Sequence, residues 1–269
     1  MRGGMALLGR LPALAFLSLA ALFLAAPLAV VAGVSLNGSA RMSFPPVNPG
    51  LRWYAAFLSD PAWVASIRWS LLIAAGAAVL SVSLALPLCY AAWRHGSRLA
   101  GRLGTVAVVP FALPAVVMAI LFLVFWSGIG RVGRIENVMI AHAVVFLACP
   151  VVTIGLGLRS VDPALLEVAR TMGAREGDLF RTVVLPIILP YVVCGLVFVF
   201  ILSLNEYIIA YMSAGFSIET LPIKVFNNLR MGFQPTMCVG AVLFMLVGIA
   251  GFGLIAALGD LPKLLGARE

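Results

Sequence analysis

The sequence predicts an all-α membrane protein, a polytopic bundle of about six transmembrane helices. Composition is the first reason, because 63% of the residues are hydrophobic and only 10% are charged, far outside the usual range of soluble domains. The second reason is that the apolar runs are long enough for helices of roughly 20 residues, the length that crosses the hydrocarbon core. The third is the lack of strand-like alternation of polar and apolar residues, which argues against a β-barrel.

Six apolar runs divide the chain, which we interpret as a single transmembrane domain over residues 1–269. An even number of spans places both termini on the same side of the membrane. The predicted spans are 11–35, 69–92, 104–127, 137–158, 183–212 and 236–258.

The distribution of basic residues predicts that the termini are cytoplasmic. Of the 18 Lys and Arg residues, eleven lie on the side of the termini and seven on the other side. Positive charge is concentrated in cytoplasmic loops of membrane proteins, so the excess sets the orientation. The net charge of +8 is therefore a topology signal. It does not indicate nucleic-acid binding, because the chain has no basic soluble face.

No catalytic or metal site is predicted in this chain. Its cysteines lie within or at the ends of spans, without paired spacing or a nearby cluster of His or acids, so packing roles are expected for them. A Gly-rich phosphate loop is also missing from the sequence, so any nucleotide hydrolysis must come from another chain. The cysteines are Cys89, Cys149, Cys194 and Cys238.

Residues 159–182, here called the charged segment, form the longest loop on the side of the termini. Asp162 followed by Pro163 combines a good cap residue with Pro at the first helical position, which predicts a short helix over DPALLEVARTM. The residues of its apolar stripe follow helical spacing. They are Leu165, Val168, Ala169 and Met172.

A second helix is predicted to follow a tight turn in the charged segment. Gly173 suits a left-handed conformation that ends the first helix. Glu176 and Asp178 then occupy the first turn of the next helix, where the helix dipole favours acids. We expect this helix to enter the membrane and to kink at Pro186 and Pro190. An amphipathic connector lying at the membrane surface would show the same pattern.

The order of residues here resembles the EAA loop of membrane subunits in binding-protein-dependent ABC importers. The matching pattern is E-x-A-x-x-x-G-A followed by F-x-x-V-x-L-P-x-x-x-P. In that family the loop is a coupling helix that docks in a groove of the ATPase subunit. The resemblance assigns this coupling role to Glu167, Ala169, Gly173, Ala174, Phe180, Leu185 and Pro186.

Nearly the whole chain resembles this family, and several loops look most like the polyamine (spermidine/putrescine) permease branch. Among these loops are FPPVNPGLRWYAAFLSDPAW and ETLPIKVFNNLRMGFQPTM. This chain differs from the pattern of the family and of the branch at two places. The chain has Arg175-Glu176 where the family usually has a small polar residue and often Pro, and it has Asn205-Glu206 where the branch often carries two adjacent acids.

The resemblance implies an inner-membrane permease subunit that performs no bond chemistry and binds no cofactor itself. Its expected partners are a second permease, two ATPase subunits that bind ATP and Mg²⁺, an extracytoplasmic solute-binding protein and the lipid bilayer. A polyamine is the expected solute. An aminophosphonate or an amino-acid-like compound is the alternative within importers, since related permeases share the loop.

Other classes of membrane protein fit the sequence less well. A secondary transporter would be expected to show inverted repeats and paired intramembrane charges, whereas only one acid lies well inside a predicted span. A scaffold or channel would have no reason to keep Gly173-Ala174 between two helices.

Glu206 is that intramembrane acid, in the run SLNEYIIAY. Because a charge at this depth costs at least about 2.5–3.5 kcal/mol, the side chain should face protein or water rather than lipid. One interpretation is helix packing, with bonds to a neighbouring helix or to Asn205 and Ser203. The other is a substrate path formed by Glu206, Asn205, Tyr207 and Tyr211, where the carboxylate receives an ammonium group beside the two tyrosines.

Overall fold

The computed structural model describes residues 11–258, and these residues are helical with connecting turns and no strand. The α-helices are α1 (Leu11–Ser35), α2 (Arg52–Ser59), α3 (Pro61–His95), α4 (Arg98–Val106), α5 (Val109–Ala112), α6 (Ala115–Gly128), α7 (Ile135–Val145), α8 (Ala148–Arg159), α9 (Pro163–Thr171), α10 (Glu176–Leu179), α11 (Leu185–Asn205), α12 (Ile208–Ala214), α13 (Leu221–Met231) and α14 (Pro235–Leu258). A π-helix, Phe180–Val184, joins α10 to α11.

Four continuous helical segments in the described part of the chain are long and apolar enough to cross a membrane. Two further pairs of helices, each bent at a short break, raise the number to six if each pair counts as one span. This agrees with a polytopic helical bundle. The continuous segments are Pro12–Ser35, Pro61–His95, Glu176–Asn205 and Pro235–Ala257.

The predicted span 104–127 corresponds to two helices joined at a bend, not to one continuous helix. The chain bends by 108° between Arg98–Ala112 and Ala115–Gly128. Leu113 is extended at this point, with ψ 148°. The reason is Pro114, because a proline disfavours helical geometry in the residue before it and has no N–H to continue the hydrogen-bond ladder.

A proline also explains why the predicted span 137–158 is bent rather than straight. α7 and α8 meet at an angle of 47° around Phe146 and Leu147. Pro150 lacks the N–H that would bond to the Phe146 carbonyl, and the Cys149 N–H bonds to that carbonyl instead at 3.1 Å. The helix therefore tightens and changes direction inside the run.

The predicted span 183–212 begins and ends differently in the structure. Its helix starts before the predicted boundary, since Glu176–Asn205 is one long segment that includes the π-helix. The helix stops at Asn205 because Glu206 is extended, with ψ 130°. Pro186 and Pro190 do not end the helix, which continues through both of them.

The chain divides into two compact units. The first comprises residues up to Pro61 together with Val225–Leu243. A buried Asn37 organises the loop after α1, because its side-chain amide nitrogen donates to the Arg41 and Ser43 carbonyls while its backbone carbonyl accepts from the indole N–H of Trp53 at 2.6 Å. Satisfying these groups internally allows a polar residue to be fully buried.

The second unit, Ala62–Lys224 and the chain from Phe244 onward, contains the helices that carry the candidate site. Its most extensive helix packing is between α8 and α11. Glycine allows this close approach, since a Cβ at Gly195 would come within 2.9 Å of the Pro150 Cα atom. α12 packs against α6 and α7 beside this pair.

Candidate functional site

The charged segment begins with the predicted helix, which is α9. The Asp162 carboxylate accepts a hydrogen bond from the Ala164 N–H at 2.9 Å, and Pro163 is the first helical residue. This cap satisfies a backbone donor that the helix itself leaves free. The prediction of a capped helix at this position is confirmed.

Gly173 ends α9 in the left-handed region, with φ +87°. The Gly173 N–H donates to the Arg170 carbonyl at 2.9 Å, and the Ala174 N–H donates to the Ala169 carbonyl at 3.0 Å. This pair of bonds is a Schellman motif, which satisfies the last carbonyls of the helix. A Cβ at Gly173 would meet nothing within 4 Å. Glycine is therefore favoured here by backbone conformation and not by lack of space.

The second helix of the charged segment starts where the acids predict it. The backbone N–H of Arg175 donates to the Asp178 carboxylate at 3.1 Å. Glu176 forms ion pairs with two arginines, Arg94 and Arg170, each at 2.7 Å. Because the Arg94 side chain is only 17% exposed and makes two bonds to Glu176, this contact ties the end of α3 to the turn between α9 and α10.

The seven residues to which the resemblance assigns coupling divide into two sets. Four pack against the core cluster formed by α3, α8, α9 and α11, and three are exposed. The packed residues are Ala169, Ala174, Phe180 and Leu185, and the exposed ones are Glu167, Gly173 and Pro186. Phe180 makes an edge-to-face contact with Tyr90 of α3, with ring centroids 4.9 Å apart. The packed set thus holds α9 and α10 against the membrane-spanning helices.

Three members of the predicted apolar stripe are exposed on α9. Leu165 and Val168 are about half exposed, and Met172 is 83% exposed. The buried anchor of this helix is instead Leu166, which lies in the core cluster. α9 therefore has one apolar side packed inward and another that is uncovered.

Glu206 lies at the break between α11 and α12, and its side chain is 9% exposed. One carboxylate oxygen accepts from the Ile209 N–H, and the other accepts from the Ala210 N–H, both at 2.9 Å. These bonds cap α12. The second oxygen also contacts Nε2 of His142 at 3.1 Å.

His142 connects this capping carboxylate to α7. Its ring is 1% exposed, and its Nδ1 atom lies 2.7 Å from the Ser203 hydroxyl. Both ring nitrogens are therefore bonded, one to α11 and the other to Glu206. The bonds to a neighbouring helix that the packing interpretation requires are present, through His142. They do not include Asn205, which is exposed and donates to the Ile201 carbonyl.

Tyr207 and Tyr211 lie beside Glu206 along the start of α12. Their rings stack with centroids 5.6 Å apart and an interplanar angle of 26°. Glu206 and both tyrosines thus lie at the break between α11 and α12 and in the first turns of α12, whereas the side chain of Asn205 is exposed.

The sequence did not predict two residues that bond to the candidate site residues, His142 and Arg94. His142 lies in an apolar run, and an isolated histidine inside a predicted span was the available signal, since ionisable residues in spans are rare. Arg94 was assigned only to topology, because its pairing with Glu176 joins residues 82 positions apart. Sequence spacing carries no information on such a contact.

Residues 11–258 contain no group of three or more His, Cys, Asp or Glu side chains with suitable geometry. The cysteines of this region are free, and two of them are buried.

The chain matches the sequence model of a known protein family. The sequence model of the family described as "Binding-protein-dependent transport system inner membrane component" matches residues 86–260, which is more than half of the chain. The chain belongs to this family. It is the permease subunit of a binding-protein-dependent ABC importer, in which ATP drives transport and a binding protein delivers the solute.

Curated relatives of the permease include two polyamine permeases of Escherichia coli strain K12. The putrescine transport system permease protein PotI is 31% identical over 240 residues, covering 86% of this chain and 84% of PotI. The spermidine/putrescine transport system permease protein PotC is 25% identical over 198 residues, covering 74% of this chain and 75% of PotC. The family is described as an inner membrane component, and several helices of the chain are long and apolar enough to cross a membrane, so the permease is a multi-pass protein of the inner membrane.

Solved structures of ABC importers share the fold. A bacterial importer of the acidic polysaccharide alginate has a TM-score of 0.68 at 18% identity, covering 94% of this chain and 95% of that one. The methionine transporter MetNI, in an inward-facing conformation, has a TM-score of 0.57 at 18% identity, covering 74% and 97%. At this identity the similarity concerns the fold alone.

A thermal unfolding experiment checks the energetic link between His142 and Glu206. Replacing either by Ala leaves a buried partner unpaired, so we expect each single variant to lose about 3–5 kcal/mol of stability. The His142→Ala/Glu206→Ala double variant should lose less than the sum of the two, by about 0.5–3 kcal/mol. Melting curves of the purified permease measure all three losses. Additive losses would show that the two side chains are not coupled.

Proposed function

We propose that the permease is one membrane subunit of a polyamine importer. The observation that carries this is the similarity to PotI, which extends over most of both chains. PotC, whose name also specifies polyamine transport, supports the same solute class. A second permease subunit would complete the path, and two ATPase subunits would bind ATP and Mg²⁺ on the cytoplasmic side.

In this proposal the permease performs no bond chemistry and is not an enzyme. It converts closure of the ATPase pair into opening of a path between the two membrane subunits. Such a conversion requires two arrangements of the helices that interact differently with the ATPase. The ion pairs of Glu176 and the packing of Phe180 on Tyr90 would transmit a displacement of α9 to α3.

The exposed side of α9 would be the ATPase docking surface. Leu165, Val168 and Met172 are uncovered there, next to the solvated charge of Glu167. Buried apolar contacts surrounded by charges are typical of specific interfaces. This assignment places the charged segment and both termini in the cytoplasm.

Cysteine labelling of Met172 tests both the orientation and the docking surface. In a background without native cysteines, a membrane-impermeant maleimide should modify Met172→Cys in inverted vesicles but not in intact spheroplasts. Met231→Cys is the matched control, because Met231 is 81% exposed on a segment assigned to the outside, and it should show the opposite pattern. Bound ATPase subunit should protect Met172→Cys. Labelling of Met172→Cys in spheroplasts, or no protection by the ATPase, would contradict the assignment.

Gly173 should be required for coupling and not for membrane insertion. A β-branched residue at φ +87° is strained by about 1 kcal/mol or more, which would displace α9. We expect Gly173→Val to reach the membrane normally while solute uptake and co-purification of the ATPase decrease together. Gly177→Val is the matched control, because Gly177 has similar open space and no positive φ. If Gly173→Val keeps normal uptake and ATPase binding, the coupling role assigned to this turn is wrong.

Glu206 would contribute to the path of a cationic solute. Tyr207 and Tyr211 follow Glu206 in the chain and stack on each other, so an ammonium group arriving at this break would meet both a negative charge and aromatic side chains. His142 already occupies one oxygen of this carboxylate. A cation would therefore replace or share the contact with His142.

Uptake of labelled putrescine tests the solute class and the role of Glu206. We expect Glu206→Gln to reduce uptake at least about tenfold, the effect of losing a favourable contact of about 1.4 kcal/mol. His142→Gln is the matched control, since it disturbs the same network but keeps the carboxylate, and it should retain more uptake. Equal losses in both variants, at equal amounts of assembled complex, would reduce Glu206 to a packing residue. Absence of putrescine uptake by the intact importer would refute the solute class itself.

A further inference from the structure

A large apolar cavity opens in the second unit between α3, α4, α5 and α8. Its volume is about 710 Å³, within the range of roughly 300–1,000 Å³ found for small-molecule sites. Aliphatic side chains cover most of its wall, and none of the residues assigned to coupling or to the solute path lines it. The lining includes Leu88, Ala92, Val108, Val109 and Val151.

Arg159 is the one charged residue among the described residues that line this cavity. It is the last residue of α8, it is exposed, and within residues 11–258 it forms no ion pair. No acidic residue between positions 11 and 258 lines the cavity. The cavity therefore combines an apolar wall with an uncompensated positive charge.

α4 adds further positive charge and an apolar surface. Arg98 and Arg102 are exposed on this helix, and neither forms an ion pair with another described residue. Leu99 and Leu103 are exposed as well. A short amphipathic helix with basic and leucine side chains is typical of segments that lie in the membrane interface.

The opposite side of α4 forms the cavity wall. Gly101 and Gly104 line the cavity, and a Cβ at either position would meet nothing within 4 Å. These glycines leave open the space that larger side chains would fill. Replacing one of them by a larger residue would place a side chain in the cavity, where its Cβ atom would meet no neighbouring atom within 4 Å.

From these observations we propose that the cavity binds an anionic phospholipid. Its acyl chain would lie against the apolar wall between α3 and α8, and its phosphate would be held by Arg159. Arg98 and Arg102, on the other side of α4, would add positive charge at the membrane interface without lining the site. Basic pockets between membrane helices bind anionic headgroups for this reason. A free phosphate would leave the apolar wall in contact with water, so the lipid accounts for both parts of the site. A second permease covering the wall would leave the arginines without a partner.

Lipid titration of the importer, purified as a complete complex and depleted of lipid, tests the proposal. Native mass spectrometry should show retention of phosphatidylglycerol in preference to phosphatidylcholine. Arg159→Gln should weaken phosphatidylglycerol binding about fivefold, the typical effect of one basic residue near an anionic headgroup. Arg41→Gln is the matched control, because Arg41 is an exposed arginine outside this cavity, and it should have no effect.

Gly104→Leu provides a second, independent variant. It should abolish the specific lipid while leaving the complex assembled, since the added side chain enters open space. Equal binding of phosphatidylcholine would overturn the proposal, as would displacement of the lipid by inorganic phosphate alone. Loss of the second permease from Gly104→Leu complexes, with lipid binding unchanged, would show that this wall is a protein interface and would also overturn it.

Discussion

Backbone hydrogen bonding inside hydrocarbon is the constraint on which this structure depends. Lipid offers no partner for a free N–H or C=O group, so each interruption of a spanning helix must be satisfied by the protein. At the break after Asn205, the Glu206 carboxylate accepts from the Ile209 and Ala210 N–H groups. The carboxylate is in turn held by His142. A single acidic side chain thus makes an irregular segment possible in the interior of the bundle.

The same arrangement explains how a carboxylate is retained in a buried position. A buried carboxylate is costly unless its oxygens have polar partners, and both Glu206 oxygens accept backbone hydrogen bonds while one also contacts His142. Such a pair contributes little net stability compared with well-packed apolar residues, but removal of one partner is expensive. The break between α11 and α12 is therefore tied to the state of His142 on α7. Any rearrangement that separates these helices must also rearrange this pair.

The sequence predicts the membrane class and the charged segment well because both depend on local patterns. Composition and run length indicate helices that span the membrane, and Asp162 with Pro163 indicates the start of α9 because a cap acts on residues two or three positions away. The bends at Pro114 and Pro150 were missed, since an apolar run gives no information on direction, although each proline was visible.

Contacts between distant residues were beyond the sequence. His142 and Glu206 are 64 positions apart, and Arg94 and Glu176 are 82 apart. Only the packing of α7 on α11, and of α3 on the charged segment, brings them together. The packing interpretation also named Asn205, but this residue is exposed and donates to the Ile201 carbonyl, because it is the last residue of α11 and the chain leaves helical geometry at Glu206.

The π-helix at Phe180–Val184 gives the segment between α10 and α11 a particular mechanical property. Its wide turn contains one residue more than an α-helical turn, which shifts the hydrogen-bond register, as in the bond from the Leu185 N–H to the Phe180 carbonyl. Relaxing that turn to α geometry would rotate everything before it by about 100° relative to α11 and change the length by about 1.5 Å. α10 and its ion-paired Glu176 would rotate and move along the helix axis together with this turn. A change in this one turn would therefore couple a small movement along the helix axis to a large rotation, while the flanking residues stay helical.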